Sequence, residues 1–210
     1  MSYFDHPYIS NSDIKAFLKS QGKGFEDPEN LQLIFDFGSY FHSSILEPHL
    51  QPSELLSKDD VALAHQMRDT FWKDPLLRYF VTSDDFHREK AYHEKEVKVG
   101  PYVVKLKCKC DGVRLRTKTF LELKGLNVGS EKEFREALVR YEYDQAAAHY
   151  MLTGDFERGI VVGISKRNPK LLWKWFVKRH DEWYNQGEQK LIDDLTIIRE
   201  FSPEDVRLVA

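Results

Sequence analysis

The chain has 210 residues, 41% hydrophobic and 13% aromatic, enough to bury a sizeable core. Its 31 basic and 34 acidic residues give a formal net charge of −3, which excludes a protein that coats nucleic acid by charge alone while leaving room for a local basic track. No apolar run approaches the roughly 20 residues of a membrane-spanning helix, and the opening MSYFDHPYISNSD has neither the basic nor the apolar region of a signal peptide, so a cytoplasmic location and no membrane partner are expected.

From the N-terminus, Ser10 with Asp13 three residues on reads as a capping box opening a helix in which Ile14, Phe17 and Leu18 are at helical spacing. After a loop through Asp27 and Pro28, LQLIFDFGSYFHSSILEP is a largely buried helix ending near Pro48. A third helix covers DDVALAHQMRDTFWKD and stops before Pro75. The period then changes to alternation: YHEKEVKV, YVVKLKCKCDGVRL and TFLELKG read as antiparallel strands joined by turns at Gly100-Pro101 and around residues 116–118. The cysteines, Cys108 and Cys110, are two apart on one of these strands, too close for an ordinary disulfide and too few for a structural zinc or iron–sulfur site. They are expected to be core thiols.

Ser130 and Glu133 form a second capping box, opening one helix with Phe134, Ala137, Leu138 and Tyr141 on a face and ending at Gly154. The strands RGIVVGIS and KLLWKWFVK precede a last helix over 181–200. Three helices followed by βββαββα make an α+β protein with a central mixed β-sheet flanked by helices. Without a repeat, low-complexity tract or long linker, residues 1–210 are expected to be a single domain, with a helical part over 1–82 and the core over 90–200.

The chemistry concentrates in CDGVRLRTKTFLELKGL. Strand alternation points Glu122 and Lys124 to one face and Leu121 and Leu123 to the other. If the strand ending near Asp111 pairs with the one carrying Glu122, the turn between them brings two carboxylates close enough to share a cation. Close carboxylates repel unless a proton or a metal intervenes. Hard oxygen ligands suit Mg²⁺ or Mn²⁺, and such an ion can generate a hydroxide and stabilise charge on a scissile phosphodiester. Lys124 would orient the attacking water or neutralise the developing charge. In a chain with 31% charged residues the same spacing also arises as a solvated strand face.

Asp111, then Glu122-Leu123-Lys124, then a helix opening at Ser130 resembles the core of the PD-(D/E)XK (restriction-endonuclease-like) nuclease superfamily. Within it, PYISNSDIKAFL and FGSYFHSSILEP resemble the N-terminal signatures of the exodeoxyribonuclease VIII (RecE-type) nuclease domain, more distantly similar to lambda exonuclease. The likeness continues through YEYDQAAAHYM and GIVVGISKRNP, from about residue 8 to residue 169. It implies a metal-dependent 5′ to 3′ exonuclease on linear duplex DNA ends, acting in recombination or phage DNA metabolism with Mg²⁺ or Mn²⁺, as a homo-oligomer and alongside a single-strand annealing recombinase. Asp111 and Glu122 match the metal-binding acids, Lys124 the catalytic lysine, and His42, four residues after Gly38, the histidine that joins the metal site. The Leu123 carbonyl is implied as a further ligand. Glu47 also matches the pattern, and a structural role at a helix end accounts for it equally.

Relatives carry a Gln four residues before a Tyr on the following helix. Here that position before Tyr150 is Ala146 and the glutamine is Gln145, so both Gln145 and Tyr150 are candidate substrate contacts. Tyr143 or Asp144 could fill part of that role, and Tyr143 could equally belong to the core. Lys105, Lys107 and Lys109 alternate onto the face of Asp111 and could steer a phosphate backbone or protect a solvated edge. Trp173, Trp175 and Trp183 read mainly as core or subunit contacts. The rival readings are an endonuclease or single-strand-specific nuclease on the same core, and a degenerate module that binds DNA or a partner.

Overall fold

The structure is a computed structural model that describes residues 7–23, 29–201 and 206–208. The loop expected at Asp27 and Pro28 lies outside these residues. The order is α1 (Asn11–Ser20), α2 (Leu31–Leu46), α3 (Lys58–Lys73), α4 (Pro75–Val81), β1 (Phe86–Val99), β2 (Tyr102–Arg114), β3 (Thr119–Leu126), α5 (Glu131–Arg140), α6 (Tyr143–Gly154), β4 (Arg158–Ser165), β5 (Leu172–Lys178), α7 (Glu182–Phe201) and β6 (Val206–Leu208). This is the expected α+β class with a mixed sheet. No helix among the described residues is long and apolar enough to cross a membrane.

Sequence chemistry accounts for most boundaries. The capping box of α1 is complete: Asp13 N–H donates to Ser10 Oγ and the Asp13 carboxylate accepts from Ser10 N–H. Pro75 does end α3, but it also opens α4 as its first residue, with Asp74 Oδ1 accepting from Leu76 and Leu77 N–H. Proline at that position loses no helical hydrogen bond. The single helix expected over 130–154 is two, α5 and α6, broken at Glu142, which sits at φ 55°. No glycine or proline marks the break. A distant contact stabilises it, because Lys15 Nζ donates to the Tyr141 carbonyl at 2.9 Å and pairs with Glu142 at 3.3 Å.

The sheet runs β1-β2-β3-β4-β5, with β6 pairing β2. Only β3 and β4 are parallel; the other pairings are antiparallel. α2, α3 and α4 cover one face, where Phe37, Phe41, Met67 and Phe71 pack on Leu121, Leu123, Ile160 and Val162. α6 and α7 cover the other, with Ala147, Ala148 and Met151 against Cys108, Cys110 and Phe120, and Leu191 and Leu195 against Val104 and Leu106. Both cysteines are buried and free, as expected.

Candidate active site

The site forms where two strands part. β2 and β3 pair at Arg114/Thr119, Val113/Phe120 and Gly112/Leu121, and the ladder ends there. Beyond it, the Asp111 side chain replaces the strand backbone: Leu123 N–H donates to Asp111 Oδ2 at 2.7 Å. Further back along β2, Ile9 takes the same edge, donating to the Lys105 carbonyl and accepting from Lys107 N–H, both at 2.9 Å. β6 occupies the edge at Tyr102–Val104. Residues 108–111 are thus bordered by Ile9 on one side and β3 on the other, and the cleft opens beside them.

Alternation along β3 works as expected. Leu121 and Leu123 are fully buried against α2 and α3, while Glu122 and Lys124 line the cleft on the opposite face. Lys124 Nζ lies 2.6 Å from Glu122 Oε1 and 5.4 Å from the centre of the Tyr143 ring. From α2, His42 Nδ1 reaches Asp111 Oδ1 at 3.1 Å. A side chain at Gly38, one turn earlier on α2, would meet nothing within 4 Å. The fold therefore brings His42, Asp111, Glu122 and Lys124 together from α2, β2 and β3, with Leu123 tied in through its amide.

Their electrostatics follow from burial and proximity. Burial and the Asp111 carboxylate push Glu122 up to about 7, against the pull of Lys124 and His42. For Asp111, burial raises the pKa, but His42, Lys124 and the Leu123 amide outweigh it and the net direction is down. His42 is raised despite burial, because Asp111 faces it. Lys124 is raised too, as Glu122, Tyr143 and Asp111 overcome the cost of burying its charge. The site thus sets a charged lysine and a charged Asp111 beside a second carboxyl whose ionisation burial and Asp111 oppose.

Among the described residues no three His, Cys, Asp or Glu side chains are gathered as a ready ligand cage. Even so, the donor set fits a hard divalent cation in kind: two carboxylates, an imidazole and a buried Glu122 Oε2 that has no hydrogen-bond partner. A buried carboxylate oxygen left unpaired is costly unless something binds it.

A cleft of about 300 Å³ adjoins these groups, lined by Asn11, Ser12 and Lys15 of α1, Lys109, and Tyr143, Ala146 and Tyr150 of α6. Of the three lysines expected along β2, Lys109 lines it, paired with Glu89. Lys107 is 5% exposed and lies 3.6 Å from Asp13, and Lys105, though exposed, is outside the cleft. The expected lysine track is reduced because Ile9 and α1 lie over this part of β2. Gln145 also departs from expectation: it is fully buried and donates to Asp194 Oδ2 of α7 at 2.6 Å. Ala146 faces the cleft in its place.

Tyr150 lines the cleft, edge-on to Phe120 at 5.5 Å, its phenol raised well above the usual range by burial. Glu47 pairs with Arg88 at 3.5 Å at the end of α2. Trp173 stacks on Phe134, and Trp175 packs on Trp183, both away from the cleft. The α1 wall of Asn11, Ser12 and Lys15 was not singled out from sequence. Its signal was the polar first turn after the Ser10 cap.

No protein-family model matches the chain, and no curated protein matches it in sequence. Solved structures do match. A candidate exonuclease of Eubacterium rectale aligns over 92% of this chain and 82% of its own at 14% identity and a TM-score of 0.59. A phage-related exonuclease of Haemophilus somnus aligns over 84% and 92% at 12% identity and a TM-score of 0.43. An alkaline exonuclease of Laribacter hongkongensis aligns over 92% and 88% at 12% identity and a TM-score of 0.39. The first of these shares its overall α+β fold with the chain.

Proposed function

We propose that this protein is a divalent-metal-dependent nuclease that hydrolyses DNA phosphodiester bonds, working from duplex ends in the 5′ to 3′ direction. The observation that carries the reading is the meeting of Asp111, Glu122 and Lys124 at the parting of β2 and β3, with His42 brought to them from α2. The shared fold with a candidate exonuclease supports it. Polarity, duplex ends, a homo-oligomeric state and a recombinase partner rest on the sequence resemblance.

In this reading Asp111, Glu122, the Leu123 carbonyl and His42 hold Mg²⁺ or Mn²⁺. When bound, the ion supplies Lewis-acid polarisation and a more acidic water. Lys124 stays charged beside Glu122 and offsets negative charge developing on the phosphate. The hydrogen bond from Leu123 N–H fixes the Asp111 carboxylate, so one acid is oriented before substrate arrives. Lys109, Tyr143 and Tyr150 border the substrate's path.

A second reading, a degenerate module that binds DNA without cutting it, is favoured by one feature: Gln145 is turned into the α6–α7 interface and Ala146 faces the cleft. End-labelled linear and closed circular duplex DNA, incubated with Mg²⁺ or Mn²⁺, separates the readings. Linear DNA is expected to be degraded only with metal, and Lys124→Ala or Asp111→Ala to slow this by about 10²-fold or more. Cutting of closed circles would replace the exonuclease with an endonuclease, and binding without metal-dependent cleavage would establish the degenerate module.

A further inference from the structure

The sheet ends at β5, which pairs with β4 on its inner side. Its outer side has no strand partner, and residues 172–177 make no backbone hydrogen bonds there, among the described residues. Depressions flank this edge on both faces. One of about 420 Å³, on the α4 side, is walled by Leu76, Tyr79 and Phe176. The other, about 240 Å³ on the α5 side, lies between Phe134 and the Trp173 and Trp175 rings. A strand added to β5 sends alternate side chains to the two faces, one set toward each depression.

Charge identifies the occupant. Arg158 and Lys178 stand directly opposite each other in the β4–β5 ladder. Like charges so placed repel. Both are exposed and both border the α4-side groove, whose lining contains no acidic residue although the chain has 34. The groove lies on the Ile160 face of the sheet, opposite the face that carries Glu122 and Lys124.

We propose that the β5 edge is a docking site for an extended acidic peptide of a partner protein, which adds as a strand, sets its carboxylates on the α4 side over Arg158 and Lys178, and places the alternating apolar side chains in the α5-side depression. A second copy of this chain would bring the same uncompensated cations to the interface. Single-stranded nucleic acid would supply negative charge but leave the strand's N–H and C=O groups unpaired.

The test is fluorescence anisotropy with a labelled nine-residue peptide that alternates aspartate with isoleucine and phenylalanine. It is titrated with the full chain and with an Arg158→Ala/Lys178→Ala double variant whose circular dichroism matches the parent. Saturable binding is expected, roughly tenfold or more weaker in the double variant, and lost when alternate peptide amides are N-methylated. Absence of saturable binding overturns the proposal, as does equal binding of a peptide with lysine in place of aspartate. Two other results overturn it in favour of another occupant: oligothymidylate binding that is lost in the double variant while the peptide does not bind, or a dimer in sedimentation that the double variant abolishes.

Discussion

Asp111 uses one carboxylate for two purposes: Oδ2 completes the ladder where β2 and β3 part, and Oδ1 meets His42. Substitutions can separate structure from chemistry here. Asp111→Asn keeps an acceptor for Leu123 N–H and is expected to fold with a melting temperature close to the parent while losing metal-dependent cleavage. Asp111→Ala leaves that buried N–H unpaired and is expected to cost about 1–3 kcal/mol of stability as well. Urea unfolding beside a cleavage assay checks both. His42→Ala removes the imidazole that faces Asp111. It is expected to raise the Mn²⁺ concentration for half-maximal cleavage by roughly 10–100-fold, and an unchanged metal requirement would remove His42 from the site.

At the scale of elements, the helices that wall the cleft are held by contacts with distant partners. Gly187 of α7 lies against the Asp144 backbone, so a methyl group there would fall inside the van der Waals radius of its carbonyl oxygen. Gly187→Ala is expected to push α7 off α6 and cost about 1–3 kcal/mol, lowering the thermal midpoint and disturbing the Tyr143 and Tyr150 wall. His149 of α6 is fully buried; its Nε2–H donates to the Ile9 carbonyl at 3.3 Å and its Nδ1 has no partner. Burial lowers its pKa to about 4. The unfolded chain, with an ordinary histidine near 6.5, therefore binds more protons between these values. Stability is expected to fall as pH drops from about 6.5 toward about 4, by up to roughly 3 kcal/mol, and His149→Gln to flatten that slope in urea titrations at pH 7 and pH 5.

The same contacts explain what the sequence disclosed. Period and alternation placed Glu122 and Lys124 on one face of β3 and ended β4 at Ser165, because those features depend on residues adjacent in the chain. The break between α5 and α6, the burial of Lys107 and the turning of Gln145 toward Asp194 depend on Lys15, Ile9 and α7. No local pattern encodes such partners. β6, with only three residues, is too short to show a period.

For the whole molecule, the net charge of −3 conceals how the cleft cations are spent. Lys15, Lys109 and Lys124 all border the cleft, and each is paired with an acid: Glu142, Glu89 and Glu122. Few are therefore available to displace counterions from DNA. The affinity of one chain for duplex DNA is expected to fall with salt on a log–log slope no steeper than about −3. Anisotropy titrations with Ca²⁺ in place of Mg²⁺, across a range of salt concentrations, measure it. A much steeper slope would show that DNA follows a basic surface outside the cleft.

The bond from Lys15 to the Tyr141 carbonyl spans 126 positions in the chain, and the one from His149 to Ile9 spans 140. Residues 8–20 leave the ribosome well before α6, so the surfaces that receive them are not complete until α6 has emerged. Closing so long a loop carries an entropic cost that local contacts do not. The cleft wall built from α1 thus waits on partners far along the chain, so refolding should restore sheet structure before it restores cleavage.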